Sequence, residues 1–324
     1  ISKLLSLGKI KILLLFRSLI RNFALQMNNN SMKQLCFAIF GNSYQANKSS
    51  CIHELIALLE ERNARLFIDS TFYHYLTSEL SIHFSPEGLI EGSDFCADFV
   101  ISMGGDGTFL EAARRVGNKG IPVLGINMGR LGFLSDYQSE DIASAIEHIY
   151  NGTYRIEERS LLMVEDHSGN IQGYPYALNE VAVLKHDNSS MISIDVEING
   201  EFLTTYQADG LIVNTATGST GYALSVGGPI IAPGSDIIGL VPIAPHSLTV
   251  RPLTLSADAE VSMEVKSRSD NFMLSIDGRS ESALVGTKIL IKKAPHTIKV
   301  LKRSEGSFFR TLRNKLMWGA DTRE

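Results

Sequence analysis

Three short runs of the 324-residue chain hold side chains that could do chemistry together. The first is Val100-Ile101-Ser102-Met103-Gly104-Gly105-Asp106-Gly107-Thr108-Phe109-Leu110. An apolar run stops at two glycines, a carboxylate, a third glycine and a threonine. Glycine admits positive φ and lets a ligand lie against the main chain. Free amides at a helix start attract an anion such as phosphate. A bare carboxylate there would repel that ligand, so Asp106 has another use: to hold a cation, to grip a hydroxyl or to take its proton. The plainer reading makes Asp106 an ordinary helix cap. Capping alone does not call for three glycines.

The second run extends from Asp209 to Ser225, where a strand ends in hydroxyls and glycines and a short helix opens. Thr217, Ser219 and Thr220 offer hydroxyls to polar ligand atoms, and Gly218 and Gly221 permit close approach. Tyr222 can present its ring to a base, with Ser225 one helical turn on. A Ser/Thr-rich loop before a capped helix would read the same way. The third run is Asn179-Glu180, a polar pair inside the apolar stretch Tyr176 to Leu184. Burying such a pair costs several kcal/mol unless both groups are bonded. A ligand rich in hydroxyls would satisfy them, and so would a hydrogen-bond network within the loop.

The elements that must carry these runs change character midway. Gln34 to Phe40, Arg65 to Ile68, Phe99 to Ser102 and Val123 to Asn127 read as short buried strands. Helical patterns lie between them: Ile52 to Leu59, then Thr71 to Glu79 with Phe72, Tyr75 and Leu76 inward, then Phe109 to Val116. Ser139 is expected to cap a helix through Tyr150. This alternation predicts a parallel sheet covered on both faces, with ligands beyond the carboxyl ends of its strands. After Gly152 the period becomes two. Ile192, Ile194, Val196 and Ile198 alternate with polar residues, and Asn199-Gly200 is a hairpin turn. Further strands are expected at 161–165, 176–184, 211–214, 248–255, 261–265, 272–276 and 288–291. The expected fold is therefore a Rossmann-like α/β domain over 33–150 and an all-β sandwich-like domain over 151–299. Phe308, Phe309, Leu312, Leu316, Met317 and Trp318 form one helical stripe. Segment 300–324 is expected to pack that stripe back on the first domain.

Composition narrows the function. The apolar fraction of 44% allows a sizeable core. With 30 Lys+Arg against 35 Asp+Glu, the net charge is −5, and no basic excess exists to serve a general nucleic-acid binder. Cys36, Cys51 and Cys96 form no C-x-x-C pair. That argues against a disulfide framework or zinc site and fits a reducing cytoplasm. Residues 1–32 read as a leader outside the fold. Its basic residues and broken apolar run are too short to span a bilayer, which argues against stable membrane insertion. A basic helix touching a membrane surface is the other reading.

Taken in this order, the three runs closely resemble the NAD kinase family, from about Lys33 onward. Gly104-Gly105-Asp106-Gly107-Thr108 resembles its GGDGT motif, Asn179-Glu180 its NE pair, and Thr217 to Ser225 with Gly227-Gly228-Pro229 its glycine/threonine motif. Asn127 to Leu134, Pro245 to Leu248 with Arg251-Pro252, Ile276-Asp277-Gly278 and Lys315 to Gly319 match lesser blocks. Gly221 departs from the pattern, which more often has Ala. The resemblance implies transfer of the terminal phosphoryl of ATP to the 2′-hydroxyl of the adenosine ribose of NAD. Asp106 would be the general base or hydroxyl-orienting group. Gly105, Gly107 and Thr108 would lie at phosphates, with Mg²⁺ held mainly through the nucleotide. Asn179, Glu180, Thr220, Gly221, Tyr222 and Ser225 would hold the dinucleotide. Asp209 would lie near the nicotinamide, with Gln207 on the same strand face and Ala244 as a small residue beside a pocket wall. His246 and Asp277 also have structural readings. A homo-oligomer is implied as well.

Other classes remain to be weighed. Diacylglycerol and sphingosine kinases also carry GGDGT but usually continue with Asn-Glu, where this chain has Phe109-Leu110-Glu111. A non-catalytic dinucleotide sensor would have no need to keep Asp106. A Rossmann oxidoreductase would show G-x-G-x-x-G after the first strand, and Phe40-Gly41-Asn42-Ser43-Tyr44 has one glycine.

Overall fold

The computed structural model describes residues 34–42, 49–129, 132–166, 173–186 and 190–320. The leader and Arg130-Leu131 lie outside the described residues. Strands β1 (Cys36–Gly41), β2 (Arg65–Asp69), β3 (Gly88–Ile90), β4 (Phe99–Gly104), β5 (Val123–Asn127) and β6 (Tyr137–Gln138) alternate with helices. The helices are α1 (Ser49–Glu61), α2 (Ser70–Ser78), α3 (Asp106–Val116) and α4 (Ile142–Asn151). Strands then dominate: β7 (Tyr154–Asp166), β8 (Tyr176–Ala177), β9 (Glu180–Lys185), β10 (Ile192–Ile198), β11 (Glu201–Ala208) and β12 (Gly210–Thr215). A one-turn helix α5 (Tyr222–Ser225) precedes β13 (Ile237–Ile243), β14 (Leu253–Ser256), β15 (Val261–Lys266) and β16 (Asn271–Ile276). Strands β17 (Arg279–Leu284) and β18 (Lys288–Arg303) follow, and helix α6 (Phe308–Leu316) comes last.

The β3-β2-β1-β4-β5 strands pair in parallel, as strands joined by crossover helices must. β18 joins β5 in parallel at Val300 and Leu301. The same sheet then continues antiparallel through β15, β10 and β11. A second, wholly antiparallel sheet runs β14-β13-β12-β9-β16-β17. The two sheets face each other over an apolar core. Ile194, Val196, Met263 and Ile291 come from the first, and Val183, Leu211, Val213 and Leu274 from the second. The β10 alternation seen in the sequence is buried at Ile192, Ile194 and Val196, and Asn199-Gly200 turns with both φ positive.

Several details differ from the sequence reading. Ser139 does not cap a helix: Gln138 does, with Asp141 bonding back, and a short 3₁₀ turn leads into α4. The 176–184 run is two strands. β8 pairs with β7 in the first sheet and β9 with β12 in the second, so the chain changes sheets at Leu178-Asn179. The 248–255 strand shrinks to β14, and Leu248 is exposed. The terminal stripe is not core. Leu312 is buried, but Phe309, Met317 and Trp318 are exposed. α6 lies over a polar cavity of about 190 Å³, lined in part by Asp136, Asp141, Arg303, Arg310 and Thr311, which gives most of the stripe no apolar surface to cover.

Candidate active site

β4 is buried along its length and ends at Gly104, beside Asn127 of β5. Gly105 is the N-cap of α3 and makes no side-chain cap bond. Asp106 therefore opens the helix without capping it. Its carboxylate reaches across to another loop, where Oδ2 accepts from the Phe133 amide at 3.1 Å and Oδ1 from the Leu134 amide at 3.3 Å. Gly132 allows this, since a Cβ there would stand 2.1 Å from Oδ1. The Lys315 ammonium of α6 lies 3.5 Å from Oδ2 and 4.4 Å from the centre of the Phe133 ring.

The glycines around Asp106 do different work. A Cβ on Gly104 would collide with the Thr108 side chain, so Gly104 serves packing. A Cβ added to Gly105 or Gly107 would meet nothing within 4 Å beyond its chain neighbours and its own helix, and neither has positive φ. Among the described residues nothing demands glycine at either position. Open space against the first-turn amides of a helix is what a phosphate requires.

The sheet change at Asn179 builds the second part. Thr215 at the end of β12 donates its amide to Asn179 O at 2.9 Å and its hydroxyl to Leu178 O at 2.6 Å. Gly218 packs so closely that a Cβ would lie 2.0 Å from Asn179 O. The NE pair and the glycine/threonine loop are thus one locked unit. Beneath it, Asp277-Gly278 forms the tight turn between β16 and β17, both with positive φ. The Asp277 carboxylate accepts the amides of Leu178, Asn179 and Glu180 at 2.6 to 3.0 Å.

Glu180 is held in an unusual state. Burial, then the Asp277 charge, pushes its carboxyl from 4.5 up to about 7, while the Tyr222 amide pulls the other way. Its Oε2 is buried without a hydrogen-bond partner. An orphaned buried oxygen costs free energy unless a ligand hydroxyl reaches it. A Cβ on Gly221 would stand 2.8 Å from that oxygen, so glycine leaves it room. Burial also raises the Asp277 carboxyl, against its three amides and the Arg279 guanidinium. Tyr222 is 40% exposed, a free ring at the mouth of this unit, with Ser225 exposed one turn on. The Thr220 hydroxyl bonds back to Thr217 O at 3.2 Å.

Leu134 beside Asp106 and Leu178 beside Asn179 belong to one apolar cluster with Phe109 and Leu161, so the two parts border the same interior. Gln207, Asp209 and Ala244 do not join them. Asp209 precedes β12 and pairs with Lys185 at 2.7 Å, and its amide bonds to Ile243 O beside Ala244. Gln207 O accepts the His246 amide. β12 has six residues, which at about 3.3 Å each puts this group roughly 20 Å from the Thr217 loop. Ala244 holds φ +45°, a strained value for a residue with a Cβ.

Sequence reasoning placed five contributors only in lesser blocks and gave them no site role: Gly132, Phe133 and Leu134 with their amides, Lys315, and Asp277 as organiser of the NE pair. Asp277-Gly278 is a turn signal that could have marked a bend there. No local signal could show which distant amides its carboxylate would meet.

Comparison with known proteins identifies the family. Residues 37–154 match the ATP-NAD kinase N-terminal domain and residues 178–302 the ATP-NAD kinase C-terminal domain. The chain is 54% identical to the NAD kinase of Bacteroides fragilis over 287 residues, covering 89% of this chain and 99% of that one. It is 44% identical to the NAD kinase of Porphyromonas gingivalis over 286 residues, covering 88% and 99%. The fold matches a yeast NADH kinase complexed with NADH, with TM-score 0.80, 24% identity and 89% of each chain covered. It also matches an NAD kinase from Archaeoglobus fulgidus in complex with ATP, with TM-score 0.70, 23% identity and 87% and 99% covered. On the family matches and the near-full-length relatives, the chain belongs to the NAD kinase family.

Proposed function

We infer that this chain is an NAD kinase, which moves the terminal phosphoryl of ATP to the 2′-hydroxyl of the adenosine ribose of NAD. The observation that carries the reading is the Asp106 carboxylate, aimed away from its own helix and fixed by the Phe133 and Leu134 amides beside the open Gly105-Gly107 turn. The hydroxyl oxygen attacks the terminal phosphorus as its O–H bond breaks, and the proton passes to Asp106. The bond to the departing ADP oxygen breaks with its electron pair. General-base help of this kind is worth roughly 10²–10⁴-fold, and phosphoryl transfer otherwise depends on positioning and charge neutralisation.

Gly105, Gly107 and Thr108 would lie along the phosphates. Asn179, Glu180, Thr220, Gly221, Tyr222 and Ser225 would hold the dinucleotide, with Glu180 Oε2 taking a ligand hydroxyl. Residues 33–150 with 300–324 then serve the nucleotide and 151–299 the dinucleotide. Among the described residues no group of three or more His, Cys, Asp or Glu is placed to hold a metal. By the family resemblance, Mg²⁺ would be held mainly through the nucleotide's phosphate oxygens and water, with few protein ligands. The ion would neutralise charge on the phosphates. A homo-oligomer gives Gln207, Asp209 and Ala244 a role, since a neighbouring copy can bring that group across the distance β12 imposes. Cys36 and Cys51 are buried thiols and Cys96 an exposed one, which supports a reducing compartment such as the cytoplasm. Among the described residues no helix is long and apolar enough to cross a membrane.

The deciding experiment supplies purified protein with ATP, Mg²⁺ and NAD and reads NADP with a coupled dehydrogenase. Diacylglycerol offered in parallel separates the lipid-kinase alternative. Binding of NAD without NADP formation would mark a sensor.

A further inference from the structure

We propose that Lys315, carried in by the C-terminal helix, is a positioning residue for Asp106, so that α6 is a working part of the active site. The proposal rests on the kinase reading.

The Lys315 ammonium touches two groups, the Asp106 carboxylate at 3.5 Å and the Phe133 ring at 4.4 Å. Phe133 joins all three. Its amide donates to Oδ2 of Asp106, the oxygen that Lys315 approaches, and its ring holds the ammonium by cation–π attraction. Oδ2 is thus gripped from two directions. Among the described residues each Asp106 oxygen has a single backbone donor, and a third contact fixes the carboxylate more firmly than two do. Both side chains of the ion pair are 30% exposed. At that exposure a lysine–carboxylate pair contributes little to stability, because solvent screens it and ordering the lysine costs rotamer freedom.

The way α6 is attached points to the same role. Leu312 is its buried side chain, and a polar cavity lies along its Arg310, Thr311 and Asn314 face. Lys315, in its last turn, reaches the first half of the chain at Asp106 and Phe133. When Asp106 takes the proton it becomes neutral. The ammonium then faces the phosphoryl oxygens with its counter-charge removed, at the point in the reaction where a positive charge helps most.

The test compares the wild type with Lys315→Met, Lys315→Arg and Phe133→Leu, and repeats Lys315→Met in an Asp106→Asn background. Initial rates are taken with ATP, Mg²⁺ and NAD, and each variant's thermal unfolding is recorded. Lys315→Met is expected to lower kcat by about 10- to 100-fold, with both KM values within about threefold. Lys315→Arg should recover most of that loss, and Phe133→Leu should fall between. In the Asp106→Asn background Lys315→Met should cost less than about twofold more, because the two residues act as a unit. An unchanged kcat in Lys315→Met, a loss confined to KM, or the same fold-loss in both backgrounds would overturn the proposal. A wild-type chain that forms no NADP would overturn the kinase reading itself. NADP formation with normal kcat in Lys315→Met would overturn this inference alone.

Discussion

Gly132 and Asp106 share one volume: the carboxylate oxygen Oδ1 sits where a side chain on residue 132 would begin, 2.1 Å from that Cβ position. Gly132→Ala should therefore displace the carboxylate. Overpacking of this size costs roughly 1–3 kcal/mol, and thermal unfolding should register it. The sharper signature is kinetic: kcat should drop at least about tenfold while NAD binding is kept. A fully active Gly132→Ala enzyme would mean that the position of Asp106 does not matter.

Asp106→Asn keeps the shape of the side chain and removes its ability to take a proton. Turnover should fall by about 10²–10⁴-fold, with NAD binding by calorimetry within a few-fold of wild type. Near-normal turnover would take the base role from Asp106.

The glycines divide into those that serve the fold and those that serve the ligand. Gly218→Ala meets the Asn179 backbone, which cannot move aside without breaking the bond to Thr215. It should destabilise the protein by about 1–3 kcal/mol or more. Gly107→Ala meets nothing in the protein and should leave stability within about 1 kcal/mol, yet raise the KM for ATP. Denaturant midpoints and two-substrate kinetics on both variants give the comparison.

Glu180 makes the ligand-free protein pH-sensitive in a stated direction. Its folded carboxyl titrates near 7 against 4.5 for the ordinary group. Between those values the folded chain binds the extra proton, so this contribution is complete below pH 4.5 and lost as pH rises through 7. It amounts to on the order of 2–3 kcal/mol. Glu180→Gln should flatten the expected fall in stability between pH 5 and 8, which urea titrations of both proteins would measure. A ligand hydroxyl that donates to Glu180 favours the ionised form, so NAD affinity in the wild type should rise across the same interval. An affinity that does not change with pH would detach Glu180 from the ligand.

Tyr222→Ala removes a ring that is 40% exposed. The loss should fall on the KM for NAD more than on that for ATP. Equal effects on both substrates would argue against stacking on the dinucleotide.

Much of this was legible because the signals were local. The β4 run, the glycine turn and the amphipathic α3 pattern sit next to one another, and so do the alternation of β10 and its Asn-Gly hairpin. What escaped is set by distant partners. Tyr176 to Leu184 reads as one apolar run, since nothing in it marks the residue at which the chain exchanges one sheet for the other. β13 and β17 were passed over because Gly239 and Pro242 in the first and charged residues in the second blur their period. The α6 stripe has the spacing of a core face, yet the surface opposite it is polar, and no sequence pattern in the helix reports on its neighbour.

β18 runs for 16 residues and bonds to β15, β7 and β5 in turn. A strand of that reach works as a girder. Swinging the two halves apart as the jaws of a clam do would strain the main-chain bonds that β18 and β7 share on both sides of the irregularity between Lys293 and Thr297. We expect substrate entry to be governed by smaller parts, namely the turns around Asp106 and Gly218 and the last helix. Turnover should accordingly tolerate stiffening of the central sheet and suffer when those smaller parts are tethered.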